Sequence, residues 1–203
     1  MSKHAISTIA GIVSPFTLPI IGWGSPARVR AERARPLVRP FLALLFLLPL
    51  LASAAENTPD QAVSELWRAL SNDPGASSDV ASLKRLFHAD AVVFGAQYKG
   101  DVASVRRTAI ADFLSSQAKV SGKGFYECEV AREVKIYDRL AVVYSVVESR
   151  RDKADIEPLL VGSNSIQLYQ DGAEWKILSL YYQVEKPGLP IPLGDGQPGK
   201  CLP

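Results

Sequence analysis

Histidine is almost missing from this chain: there are two, His4 and His88, and only His88 lies beyond residue 55. That excludes a histidine-built metal cluster. Cysteine is equally scarce, since Cys128 and Cys201 stand alone and far apart, without the paired spacing of a zinc site. No Gly-x-Ser-x-Gly elbow is present to expose a nucleophile, so a Ser-His-Asp triad would have to be built on His88 without one. A helix-ending histidine beside Asp90 reads more simply as structural. Charge blocks are absent too. The overall charge is +2, but up to residue 55 six basic residues (Lys3, Arg28, Arg30, Arg33, Arg35, Arg39) face Glu32 alone, giving +5 and leaving −3 for the remainder. That remainder is evenly mixed and offers no footprint for nucleic acid.

The basic excess belongs to a leader. Residues 1–55 contain arginines followed by an apolar run from Phe41 to Leu51 and then Ala52-Ser53-Ala54-Ala55, the three-part pattern of a secretory signal peptide at about residues 37–55. A membrane span needs roughly 20 apolar residues, and Arg39, Pro40 and Pro49 interrupt this run. The reading is export to a periplasmic or secreted location, with no stable membrane span after cleavage. Residues 1–36 are an unusual preface, and a translation start at Val29 or Val38 would account for them. Export makes Cys128 and Cys201 a disulfide candidate that would pin the C-terminal tail to a strand. The alternative is a buried Cys128 and a free tail thiol.

Beyond the leader there is a clear order of elements. Thr58-Pro59-Asp60-Gln61 is a capping box with proline at the first helical position, ahead of Val63, Leu66, Trp67 and Leu70 at helical spacing. A second helix is expected from a Ser78 cap to His88-Ala89-Asp90, then a short strand over residues 91–95, and a third helix over residues 104–118 with Val105, Ala109, Ile110, Phe113 and Leu114 as its stripe. Four strands follow as a meander. A two-residue turn at Asp138-Arg139 would set Glu133 opposite Tyr144, Glu129 opposite Glu148 and Glu127 opposite Arg150. Asp171-Gly172 suits a type I′ turn that would set Leu168 opposite Trp175, Ile166 opposite Ile177, Asn164 opposite Ser179 and Gly162 opposite Tyr181. The buried side of this second hairpin changes along its length, which predicts a twisted sheet with a bulge at Gly162. The fold class is therefore α+β, a curved antiparallel or mixed sheet covered by three N-terminal helices. Its domain spans residues 56–186, and a Pro- and Gly-rich tail, residues 187–203, wraps the surface or stays mobile.

Chemistry is sparser. Gly194-Asp195-Gly196-Gln197-Pro198-Gly199 has the spacing of a dinucleotide fingerprint but adjoins neither a strand nor a helix, so it is a turn-rich tail and implies no cofactor. Two carboxylates opposed in a pocket would separate into an acid and a base, whereas on a solvated face they would do nothing. The weak catalytic candidates are Glu148, Tyr144 and Glu129. The candidate pocket lining is Tyr144, Glu148, Asn164 and Tyr181.

Several pieces together resemble the nuclear transport factor 2-like superfamily, and within it the bacterial SnoaL-like members. They are a first helix carrying a Trp, Leu86-Phe87-His88-Ala89-Asp90-Ala91-Val92, the strand from Ala141 to Ser149, Gly162-Ser163-Asn164-Ser165-Ile166-Gln167-Leu168, Asp171-Gly172 with Trp175-Lys176-Ile177, and Pro190-Ile191-Pro192. The resemblance implies a cone-shaped, cystatin-like fold with a pocket between helices and sheet, often in a homodimer formed through the sheet. It carries over no catalytic residue. The expected function is an exported domain that binds a small apolar ligand or a protein partner. The alternatives are a cofactor-independent isomerase, dehydratase or cyclase, and a structural homodimerisation module.

Overall fold

The computed structural model describes residues 57–203, so the leader, residues 1–55, and the signal peptide expected within it lie outside the described residues. Helix α1, Pro59–Leu70, starts where the sequence places it. The Thr58 side chain accepts from the Gln61 amide, the Gln61 side chain accepts from the Thr58 amide, and Val63, Leu66, Trp67 and Leu70 are buried. Helix α2, Val80–Leu86, is capped by Asp79 rather than Ser78. The Ser78 hydroxyl is taken by the Leu70 carbonyl and by Gln117.

Strand β1, Phe87–Lys99, begins directly after α2, so His88, Ala89 and Asp90 belong to a strand much longer than residues 91–95. A tight turn at Gly100, φ +60°, leads into β2, Val102–Ala109, and helix α3, Ile110–Gln117, only starts there. The expected helix over residues 104–118 was thus half strand. Val102, Val105 and Thr108 are β-branched, and pairing with β1 from Lys99↔Val102 to Val92↔Ala109 outweighs the helical spacing of Val105 and Ala109. Strands β3, Tyr126–Tyr137, β4, Leu140–Arg150, β5, Leu160–Asp171, and β6, Glu174–Val184, form the expected meander. The sheet order is β2-β1-β6-β5-β4-β3, with β1 parallel to β6 and all other pairs antiparallel. This is the α+β architecture implied by the resemblance: three helices against one bent mixed sheet. Among the described residues no helix is long and apolar enough to cross a membrane.

Two bulges decide which side chains face the helices. The Asp138-Arg139 turn closes as expected and Glu133 lies opposite Tyr144, but Val130 is an extra residue in β3, so Glu129 pairs with Val147, Cys128 with Glu148 and Glu127 with Ser149. The other hairpin turns on Gly172-Ala173, with Asp171 opposite Glu174 and Gly172 at φ +61°, the pattern of a turn with glycine first. That moves the pairing by two positions and leaves every side chain on its face. A bulge at Leu178 then shifts it by one and turns Leu180 and Tyr182 inward. Gly162, where a bulge was expected, pairs regularly with Val147 and Val184.

The inner face carries the main core, where Val143, Val147, Ile166, Leu168, Ile177 and Leu180 meet Val63, Leu66, Trp67, Leu83 and Leu86. A smaller cluster on the outer face, Cys128, Val130, Ala131 and Val146, is roofed by Ile191 and Leu193 of the tail. The tail is a strap. Cys128 and Cys201 are joined by a disulfide, the Leu202 amide donates to the Glu129 carbonyl at 2.7 Å, and the Ser64 hydroxyl of α1 donates to the Pro203 carbonyl at 3.0 Å. A Cβ on Gly196 would overlap the Val130 carbonyl oxygen and the Ala131 side chain, so only glycine lets the strap lie this close. The disulfide closes a separation of 73 residues, for which the chain-entropy account gives about 4 kcal/mol. Cys201→Ser should lower unfolding stability by about 2–4 kcal/mol in urea titrations under non-reducing conditions. Gly196→Ala should make the tail more protease-sensitive with the disulfide intact.

Candidate functional site

Between the helices and the inner face lies a cavity of about 240 Å³. Trp67 and Leu70 of α1, Phe113 and Gln117 of α3, and Phe125 form one side, while Glu127, Val147, Ser149, Gly162, Asn164, Leu180 and Tyr182 of the sheet are among those forming the other. A larger open groove of about 1720 Å³ runs outside it, between α1, β3, the loop after β4 and the end of the strap. Trp67 and Glu127 line both spaces. The Trp67 Nε1 is the one buried side-chain polar atom among the described residues without a hydrogen-bond partner.

Glu127 is the cavity's only acidic side chain, and the lining contains no lysine or arginine. Its backbone amide donates to the Ser71 hydroxyl at 3.0 Å, and that hydroxyl donates to the Trp67 carbonyl at 2.9 Å, so the end of α1 is pinned at this point of β3. Its Oε2 accepts from the Ser149 hydroxyl at 2.8 Å. Burial pushes the Glu127 carboxyl up to about 7, against a smaller downward pull from the Ser149 hydrogen bond. Asn164 is buried nearby on β5. Its Nδ2 donates to the Ser145 and Gly162 carbonyls, both at 3.3 Å, which leaves Oδ1 without a donor among the described residues.

The structure does not bring the sequence-derived candidates together. Asn164 lines the cavity, but Glu148, Tyr144 and Tyr181 lie on the outer face. Glu148 is buried under the strap, bonded to Arg150 at 2.5 Å and to the Gly199 amide at 3.1 Å, and is therefore a tail anchor. Tyr144 and Tyr181 flank Ser165 on the exposed sheet. Glu129 does face inward, but its oxygens are saturated by Ser145 at 2.6 Å and by a two-pronged contact from Arg132. Arg132 also reaches the Asp60 carbonyl at 2.8 Å and Ser64 at 2.8 Å. This buried network fastens β3 to α1, and the acidic partners hold the guanidinium charged although burial opposes it. Among the described residues no three His, Cys, Asp or Glu side chains gather as a metal site.

Glu127, Ser149, Trp67 and Tyr182 were missed. The available signal was a break in strand alternation: Val130-Ala131 puts two small apolar residues in succession, and the apolar positions of β6 change from Trp175 and Ile177 to Leu180 and Val184.

No protein-family model matches this sequence, and no curated protein matches it. Among solved structures the chain is similar to an NTF2-like protein from Cytophaga hutchinsonii at 16% identity, covering 64% of this chain and 99% of that one with a TM-score of 0.49. It is also similar to a protein of unknown function with a cystatin-like fold from Nostoc punctiforme, at 13% identity, 64% and 90% coverage and a TM-score of 0.47. A third is a candidate ketosteroid isomerase from Parabacteroides distasonis, at 16% identity, 67% and 94% coverage and a TM-score of 0.44. These likenesses concern architecture alone.

Glu127 holds its proton more tightly in the folded chain than in the unfolded one. Stability therefore falls as pH rises from the ordinary value of 4.5 through about 7. Glu127→Gln cannot ionise and should be more stable than the parent at about pH 8, by as much as roughly 3 kcal/mol, with the gain vanishing below about pH 4.5. Urea denaturation at both pH values checks this; an equal gain at each would contradict it. In Ser149→Ala, carboxyl NMR should place the Glu127 titration higher still.

Proposed function

We propose that this is an exported domain that binds a small, largely apolar molecule in the cavity between α1, α3 and the inner sheet face, with Glu127 as its polar centre. The observation that carries this reading is one carboxyl without a cationic partner inside an otherwise mainly apolar and aromatic chamber. Sites of this kind combine apolar walls with a few placed polar groups. At about 240 Å³ the chamber suits a ligand of roughly one ring. Export remains the reading of the leader, and a homodimer through the sheet is supported by the exposed Leu140, Val142, Tyr144 and Tyr181 that the strap leaves open.

A second reading is acid/base chemistry on the same ligand. It is favoured by Glu127, which near neutral pH exists in both protonation states and can therefore accept or donate a proton. Turnover would then rise with pH through about 7 if Glu127 acts as the base, and disappear in Glu127→Gln.

Native mass spectrometry of the processed protein from its host's exported fraction tests the binding reading. A retained small molecule is expected, lost when Val147→Phe fills the cavity and kept in Tyr144→Phe on the outer face. Retention unchanged by Val147→Phe would move the site elsewhere.

A further inference from the structure

The chemical class of the cavity's ligand follows from the one charged side chain of its lining, Glu127, and this inference rests on the cavity-binding reading above. Each cation of the groove that shares Glu127 with the cavity is committed to another acid, and Arg151, beyond Ser149, lines neither space and donates to the Gly124 carbonyl. Arg68 on α1 contacts Glu65 at 3.3 Å, Arg132 on β3 is held by Glu129 and Asp60, Arg150 on β4 is held by Glu148, and Lys153 in the loop after β4 contacts Asp73 at 3.2 Å and lies over the Tyr126 ring. Helix α3 faces the chamber with Phe113 and Gln117, and β6 adds only Tyr182 as a titratable group. Glu127 is thus the surplus carboxyl of its neighbourhood, and its one side-chain hydrogen bond comes from a neutral serine.

Asn164, buried on β5, spends its amide hydrogens on two backbone carbonyls and is left with an acceptor. The free ends of Glu127 and Asn164 are therefore acceptors. The groups of the lining that could donate are Gln117, the exposed Tyr182 and the unpaired Nε1 of Trp67, and none of them brings a charge to meet a carboxylate. Around these acceptors stand the rings of Trp67, Phe113, Phe125 and Tyr182, and aromatic faces attract cations within about 6 Å of a ring. A carboxylate costs free energy in such a chamber until a positive charge joins it.

We infer that the cavity is built for a small organic cation, an ammonium on an apolar body of about one ring, whose charge sits between Glu127 and Asn164 Oδ1 and against the aromatic walls. A neutral molecule of the same shape fills the same space but leaves both acceptors unpaired. An anion adds repulsion.

Calorimetric titration of the full protein with benzylammonium, benzyl alcohol and benzoate tests this. Benzylammonium should bind at least about tenfold more tightly than the other two at about pH 8, and at least about tenfold more weakly at about pH 5.5, where Glu127 is protonated. Titration near pH 6 in buffers of different ionisation enthalpy should show proton release to solvent, because the cation ionises Glu127. Glu127→Gln should lose about tenfold or more of the ammonium affinity together with its pH dependence. The pH and proton-release arms use the unmodified protein and stand even if that variant folds poorly. Benzyl alcohol or benzoate binding as tightly as benzylammonium would overturn the cation and leave the cavity reading intact. Failure of all three probes to bind at either pH would overturn both.

Discussion

The one-residue bulge at Val130 is the constraint on which this site depends. Strand side chains alternate with a period of two, so one inserted residue exchanges the faces of everything before it. Without it, Glu127 and Glu129 would share the outer face with Glu133 and Tyr144. With it, Glu129 meets Ser145 and Arg132 beneath α1, and Glu127 meets Ser149 in the cavity. The bulge also brings the Val130 carbonyl against Gly196 and puts Cys128 on the outer face beside Glu148. The inward carboxyl and the outward disulfide therefore have a common cause.

The two faces of β3 and β4 divide the charged residues between holding the chain together and leaving one carboxyl free. Outside, Glu148 and Arg150 are buried as a pair, with a tail amide completing the carboxylate's hydrogen bonds. Inside, Glu129 and Arg132 form a second pair, completed by Ser145, Ser64 and the Asp60 carbonyl. Buried pairs of this type contribute little net stability, but losing one partner is costly because the other charge is stranded. Glu127 has no such partner. It is held by Ser149 and by the Ser71 contact with its backbone, and burial raises its affinity for a proton.

Much of the fold was legible in the sequence because local signals agreed with the tertiary outcome. The Thr58 capping box, the Asp138-Arg139 turn and the four-strand meander all stand where the residues place them. The segment after Gly100 was misread as helix because Val105 and Ala109 also fit a helical stripe, and the partner that makes it a strand, β1, is a nonlocal fact. The candidate residues and the cavity lining differ for a narrower reason. The pairing of Glu129 with Glu148 and the inward placing of Tyr181 came from extending an unbroken ladder from each turn, which fails at Val130 and at Leu178, while Tyr144 keeps its pairing with Glu133 on the outer face. The alternating buried side of the second hairpin was visible and was attributed to sheet curvature. Its physical origin is the Leu178 bulge, which exchanges Tyr181 for Tyr182 in the cavity wall.

Those bulges lie between residues whose pairings are fixed by tight turns on one side and by packing on the other. In β3, Glu133 is set by the Asp138-Arg139 turn, while Glu127 is set by Ser71 at the end of α1. The two anchors require different phases of the strand, and a bulge is the least disruptive way to satisfy both, since it leaves one residue unpaired and preserves the ladder on either side. Helix position and carboxyl orientation are thereby coupled. Any displacement of α1 that moves Ser71 acts on Glu127 directly, and Trp67, one turn earlier on the same helix, moves with it. The end of α1 thus fixes both the Trp67 wall of the cavity and the backbone of the residue that carries its carboxyl.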